Sequence, residues 1–253
     1  MISFQKEQIF IVTGASSGIG EATAILLNEL GATIIGIGRS KERLEAMKAK
    51  CKIPQNVFLE QKDLAEDIEN LPNYVKNLKE KYGKFSGMAY CAGVVGLNPL
   101  KAITYEYAKN IFDINYFSPL MMIKGIADKR NNVSGGSTYT SIVCVSSIDA
   151  ILNSRGQSIY VGTKSALSAS IKTISKEIAQ NDIRINCVLP SMIKTPMTAA
   201  AAAAGYSLYV DKYEYPFGWG EPNDVANMIC FLLSDKAKFI SGQNYIIDSG
   251  GVV

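Results

Sequence analysis

Apolar positions along this chain follow two alternating patterns. Short runs rich in Ile, Val and Cys recur at roughly 8–13, 32–37, 56–61, 85–91, 139–145, 183–189 and 243–247, and they have the length and composition of strands. Ile142-Val143-Cys144-Val145 is almost unbroken, as expected of a strand covered on both faces. Between the runs lie longer stretches near 18–30, 40–50, 65–81, 104–130, 158–180 and 222–234, where apolar residues return at helical spacing. This alternation predicts right-handed βαβ units, and so an α/β fold with a doubly wound parallel sheet of about seven strands and helices on both faces. No Pro/Gly/Ser-rich linker divides the chain and no segment repeats, so residues 1–253 read as one domain.

One segment breaks the rhythm. Residues 190–221 form a connection longer than a compact domain ordinarily carries. It holds six alanines from Ala199 to Ala204, a strong local helix former, then Gly205 and the aromatics Tyr206, Tyr209, Tyr213, Tyr215, Phe217 and Trp219. Such an insertion suggests a substrate lid or pocket wall, against the plainer reading of a short surface helix packed down by aromatics.

Composition narrows the function classes. With 253 residues, 47% hydrophobic and 19% charged, the chain can bury a sizeable core. A net charge of +3 without any Lys/Arg tract gives no footing for a nucleic-acid surface. The cysteines Cys51, Cys91, Cys144, Cys187 and Cys230 are scattered and the chain has no His, so a metal site has almost no ligands to draw on. Scattered cysteines suit a reducing compartment. Lys6, Glu7 and Gln8 precede the first apolar run, unlike a secretory leader, and no apolar stretch is long enough to span a bilayer. The expected location is the cytoplasm.

The first predicted strand runs into Thr13-Gly14-Ala15-Ser16-Ser17-Gly18-Ile19-Gly20 and directly into a helix. Closely spaced glycines permit a tight turn, close approach of a pyrophosphate and close helix–strand packing, and the helix start offers free N–H groups to phosphates. This strand–turn–helix context makes the motif a dinucleotide site of Rossmann type. The second strand ends at Gly38-Arg39. An acidic residue there binds the ribose hydroxyls of NAD, whereas Arg accommodates the 2′-phosphate of NADP, so NADP(H) is favoured over NAD(H); the plainer role is a solvated Arg opening the next helix.

Tyr160 and Lys164 are four apart in a predicted helix and share one face. A Tyr side chain titrates near pH 10, and a neighbouring ammonium favours its anion, which suits proton transfer near neutrality. Ser147 follows the fifth strand, thirteen residues before Tyr160, and can donate to the same substrate oxygen; Ser146 is the competing serine.

Together these motifs resemble the short-chain dehydrogenase/reductase family. The segment TGASSGIG has the family's GxxxGxG spacing, and the likeness continues through Asp63, Ala92-Gly93, Asn115, Ser147, Tyr160-x-x-x-Lys164, Pro190 and Ile240-Ser-Gly-Gln to Asp248, covering essentially the whole chain. The resemblance implies a cofactor site of Gly14, Ser16, Ser17, Gly18, Ile19, Gly20, Arg39, Asp63, Leu64, Ala92, Gly93, Pro190, Ile193 and Thr195, shared with Tyr160 and Lys164. Within it, Asp63-Leu64 contacts adenine (Asp63 also suits a helix cap), and Ile193 and Thr195 bind the carboxamide. It implies four catalytic residues: Asn115, which holds a water linking the Lys to solvent, Ser147, Tyr160 and Lys164. Hydride then passes between nicotinamide and a carbonyl/alcohol pair, with Tyr160 as general acid/base.

The chain departs from the family at several positions. Gly38 stands where NAD-preferring relatives carry Asp, Ser17 where a second basic residue is common, Tyr90-Cys91 where relatives show two asparagines, and Ser191 where Gly often follows the Pro. Among look-alikes, 3-oxoacyl-thioester reduction is the commonest assignment, and Lys129, Arg130 and Lys172 offer cations to an acyl carrier protein, although exposed helix cations are ordinarily only solvated. A keto sugar, polyol or small ketone suits the amphipathic Tyr-rich stretch and Ile151-Leu152 equally well. A non-catalytic NADP(H)-binding sensor is the rival from another class, and a nucleotide-sugar epimerase fits the length and glycine spacing less well. The family's habit of pairing through the long helices 104–130 and 158–180 implies a homodimer or homotetramer.

Overall fold

The structure is a computed structural model and describes residues 1–135, 139–152, 154–201, 203 and 215–251. All seven predicted strands are present. They are β1 (Ile9–Thr13), β2 (Thr33–Gly38), β3 (Val57–Gln61), β4 (Gly87–Tyr90), β5 (Thr140–Val145), β6 (Ile183–Pro190) and β7 (Asn244–Ile247). Every pairing is parallel, in the order β3-β2-β1-β4-β5-β6-β7. Sequence order reverses at β1, whose neighbours are β2 and β4, and a crevice opens beyond the carboxyl ends of the strands at such a switch point.

Helices cover both faces: α1 (Gly18–Glu29), α2 (Lys41–Lys50), α3 (Leu71–Tyr82), α4 (Tyr105–Phe112), α5 (Ser118–Ala127), α6 (Asp149–Leu152), α7 (Ser158–Ile178), α8 (Pro196–Ala201) and α9 (Pro222–Leu233). Two cores result. One packs Val12, Ile34, Val143 and Val188 against Ala24 and Leu27 of α1 and Val225 and Ile229 of α9. The other packs Ile11, Ile35, Met88 and Ile185 against Val75 of α3, Ile126 of α5 and Ile171 of α7. Strand residues therefore alternate between two buried faces, which is why β2, β4, β5 and β6 are buried at every position.

Two predicted helices differ from expectation. The stretch 65–81 becomes α-helical only at Leu71, after a 3₁₀ turn at Ile68–Asn70, because Asp67 adopts a left-handed conformation (φ 53°) and Asp63 Oδ1 accepts from Ala65 N in a local turn. The stretch 104–130 is split between α4 and α5 by a π-helical turn, Asp113–Phe117, with Asn115 in it. Of the 190–221 insertion, Ala199, Ala200 and Ala201 lie in α8, whereas Ala202, Ala204, Gly205, Tyr206, Tyr209 and Tyr213 fall outside the described residues. Both ends of the insertion are pinned. Gly220 N donates to Met192 O (3.0 Å), Lys194 N to Gly220 O (2.9 Å), and Ser191 Oγ lies 2.8 Å from Tyr215 Oη.

Candidate active site

A cleft of about 480 Å³ lies across the carboxyl ends of the central strands. Its floor is the turn from β1 to α1. A Cβ on Gly20 would collide with the Gly14 carbonyl oxygen, and one on Gly14 would come within 3.0 Å of Ala92 N. Neither position tolerates a side chain, so the backbone closes tightly enough for a pyrophosphate to approach α1. Ser17 precedes α1 in an extended conformation without capping it through its side chain, leaving the helix start open towards the cleft. This close-packed turn, open at its helix end, fits a dinucleotide cofactor.

The ends of β1 and β4 are tied through a side chain. Thr13 Oγ1 accepts from both Cys91 N and Ala92 N, each at 3.0 Å, and ties the end of β4 to the end of β1. The buried Tyr90 hydroxyl reaches away from the cleft to Ser118 Oγ (2.8 Å) and Ile114 O (3.2 Å), so it binds the π-helical turn instead.

Nearly every residue singled out in the sequence lines this one cleft. Gly14, Ser16, Ser17, Gly18, Ile19 and Gly20 form the floor; Arg39, Asp63 and Leu64 form one end. Ala92 and Gly93 form the near wall; Pro190, Ile193 and Thr195 face them; Ser147, Tyr160 and Lys164 close the other end. Arg39 is 73% exposed, and its guanidinium lies 4.0 Å from Asp63 Oδ2, a contact worth little on its own.

Asn115 is the exception. Its side chain is 1% exposed and sits behind the wall, where Oδ1 accepts from Val94 N (2.9 Å). Its Nδ2 donates to Val94 O (2.9 Å) and Thr163 Oγ1 (3.2 Å). Both amide hydrogens are thereby committed, so any water it holds must be bound through its backbone carbonyl or a remaining lone pair. Asn115 and Lys164 still meet at Gly93, whose Cβ would lie 3.1 Å from Asn115 Oδ1 and 3.5 Å from Lys164 Nζ.

Tyr160 and Lys164 are both buried on α7. The Lys164 ammonium donates to Val145 O (3.0 Å) and lies 5.8 Å from the Tyr160 ring centre. Burial pulls its pKa down to about 8, opposed by the nearby Cys187, Cys144 and Cys91 thiols. The two serines separate cleanly. Ser146 Oγ is committed to α7 through Lys164 O (3.0 Å) and Ser168 Oγ (2.8 Å). Ser147 Oγ accepts from Asp149 N (3.1 Å) and lies 3.4 Å from Asp149 Oδ2. Asp149 is held on its other oxygen by Ser154, and burial raises its pKa.

Sequence reasoning missed Asp149, and it missed Lys62, Met197 and Thr198, which also line the cleft. Lys62 had a usable signal, since it follows the third strand and directly precedes Asp63; Met197 and Thr198 had none beyond their place in the long connection. Among the described residues, no group of His, Cys, Asp and Glu is gathered as a metal site.

An open parallel sheet with a glycine turn at its switch point and a Ser–Tyr–Lys set in the same cleft defines a dinucleotide-binding oxidoreductase fold. The chain belongs to the short-chain dehydrogenase/reductase family of oxidoreductases. Residues 14–251 match the family model described as Enoyl-(Acyl carrier protein) reductase. The chain is 31% identical over 251 residues to the 3-oxoacyl-[acyl-carrier-protein] reductase FabG of Thermotoga maritima, covering 97% of this chain and 98% of that one. It is 29% identical over 244 residues to the NAD-dependent glycerol dehydrogenase of Listeria innocua, covering 96% and 93%. Among solved structures it superposes on a short-chain dehydrogenase/reductase of Brucella melitensis with a TM-score of 0.88 at 23% identity, covering all of both chains. No helix among the described residues is long and apolar enough to cross a membrane.

Proposed function

We propose that this chain is an NADP(H)-dependent carbonyl reductase working reversibly as an alcohol dehydrogenase, with Tyr160 as general acid/base. The observation that carries this reading is the convergence of Ser147, Tyr160 and Lys164 at one end of a cleft whose floor is the glycine turn. A bound nicotinamide would supply the hydride for a carbonyl carbon, or accept it from an alcohol. Tyr160 then gives its phenolic proton to the carbonyl oxygen, and Ser147 donates a hydrogen bond to that same oxygen. Lys164, anchored on Val145 O, supplies the positive charge that favours the Tyr160 anion and would hold the ribose of a bound cofactor. Asn115 holds the wall segment through Val94 and links it to Thr163 on α7.

NADP(H) over NAD(H) is supported by Arg39 at the cleft edge and by Gly38 in place of an acidic residue. For the substrate, 3-oxoacyl thioesters are supported by the likeness to several 3-oxoacyl-[acyl-carrier-protein] reductases. A polyol or keto sugar is the second reading, favoured by the glycerol dehydrogenase relative. An acyl carrier protein as partner has weaker support from this chain. Arg130 is already held by Asp128 in hydrogen bonds of 3.0, 3.2 and 2.6 Å, which leaves Lys129 and Lys172 of the three cations. Exposed Tyr105 at the start of α4 and Phe117 at the end of the π-helical turn support assembly into a homodimer or homotetramer.

The experiment is NADPH oxidation against acetoacetyl thioesters, keto sugars and simple ketones side by side. Turnover of one class is expected, with a fall of about 10²–10⁴-fold in the Tyr160→Phe variant. Tight NADPH binding without turnover of any carbonyl would instead make the chain a sensor, and full activity of the variant would remove Tyr160 from the mechanism.

A further inference from the structure

Arg39 does not stand alone at the adenosine end of the cleft. Strands β2 and β3 pair in parallel with Gly38 opposite Gln61. The strand ends are held together there, as Lys62 N donates to Gly38 O and the Gln61 side-chain Nε2 to Arg39 O, each at 3.0 Å. Arg39 and Lys62 each follow directly on these two paired strand ends. Both residues line the cleft.

Little neutralises this pair of cations. Lys62 Nζ donates to Glu66 O at 3.3 Å, and among the described residues no carboxylate lies within ion-pair distance of it. The Arg39–Asp63 contact, at 4.0 Å, is at the limit of an ion pair, and Asp63 Oδ1 is engaged by Ala65 N. Like charges at neighbouring strand ends repel, and an anion lodged between them relieves the repulsion. The glycine turn from Gly14 to Gly20 carries no Lys or Arg, so the floor of the cleft offers no second cation on that side.

We propose that Lys62 is the second cation of a two-point clamp on the adenosine 2′-phosphate, taking from the β3 side the role that the glycine turn leaves unfilled. Arg39 grips the phosphate oxygens through its planar fork, and Lys62 acts as a compact point charge on the same group. This inference rests on the NADP(H) reading above. It makes Lys62 a cofactor-specificity residue, because NADH presents no phosphate to it.

The test is fluorescence titration of the full chain with NADPH and NADH, with displacement by 2′,5′-ADP and 5′-ADP. Wild type is compared with Lys62→Gln and Lys62→Arg. Lys62→Gln is expected to weaken NADPH and 2′,5′-ADP by about tenfold, leave NADH and 5′-ADP within about twofold, and flatten the salt dependence of NADPH binding. Lys62→Arg restores most of the loss. Equal weakening of NADPH and NADH, or undiminished NADPH affinity in Lys62→Gln, overturns the role of Lys62 while leaving the cofactor reading intact. A wild-type chain without preference for NADPH overturns the cofactor reading, and the clamp with it.

Discussion

Lys164 shows how much of a site residue's chemistry depends on its surroundings. Its spacing from Tyr160 identified it, but its burial and its bond to Val145 O come from packing between α7 and the end of β5. Because burial brings its pKa to about 8, the ammonium is present below that pH and lost above it. Reductive kcat/KM is therefore expected to fall as pH rises past about 8, read from a pH profile; Lys164→Arg, which stays charged, should move that limb upward. The stability sign is opposite. The unfolded lysine titrates near its ordinary 10.5, so between about 8 and 10.5 the unfolded chain holds more protons and stability rises with pH. Lys164→Met should raise the urea midpoint at neutral pH while abolishing turnover, the signature of a charge kept for function. Arg39, Ser147 and Tyr160 were legible because their motifs are local in sequence. Lys62 and Asp149 were not, since each matters through a neighbour set by strand register or a short helix.

At the scale of elements, strands were read closely because a continuous apolar run has few other uses. Helix interruptions were hidden: the apolar pattern of 104–130 runs through the π-helical turn, and only hydrogen bonding distinguishes it. That turn is where Asn115 sits, as π-bulges often do at functional positions. Tyr90 holds it through Ser118 Oγ and Ile114 O, a long-range contact unreadable from position 90 alone. Removing that hydroxyl takes a partner from the buried Ser118 and from the part-buried Ile114 carbonyl. Tyr90→Phe is expected to cost about 1–3 kcal/mol of stability by denaturant titration, with a smaller drop in kcat as the Val94 wall loosens.

For the whole molecule, cofactor affinity and stability are one measurement. The cleft joins residues from β1 to the connection after β6, so a ligand that binds it ties the two halves of the sheet together. NADPH at about 100 times its Kd should add about 2.7 kcal/mol, raising Tm by about 5–10 °C in a thermal scan; NADH at the same concentration should raise it less. The strand order also bears on how the chain is made. Thr13 waits for Cys91, a partner 78 residues further on, and until β4 emerges from the ribosome β1 offers a bare edge to whatever strand is nearby. The apolar β1–β3 segment is thus the part most exposed to misassociation during synthesis, and the part that gains most from a chaperone's delay.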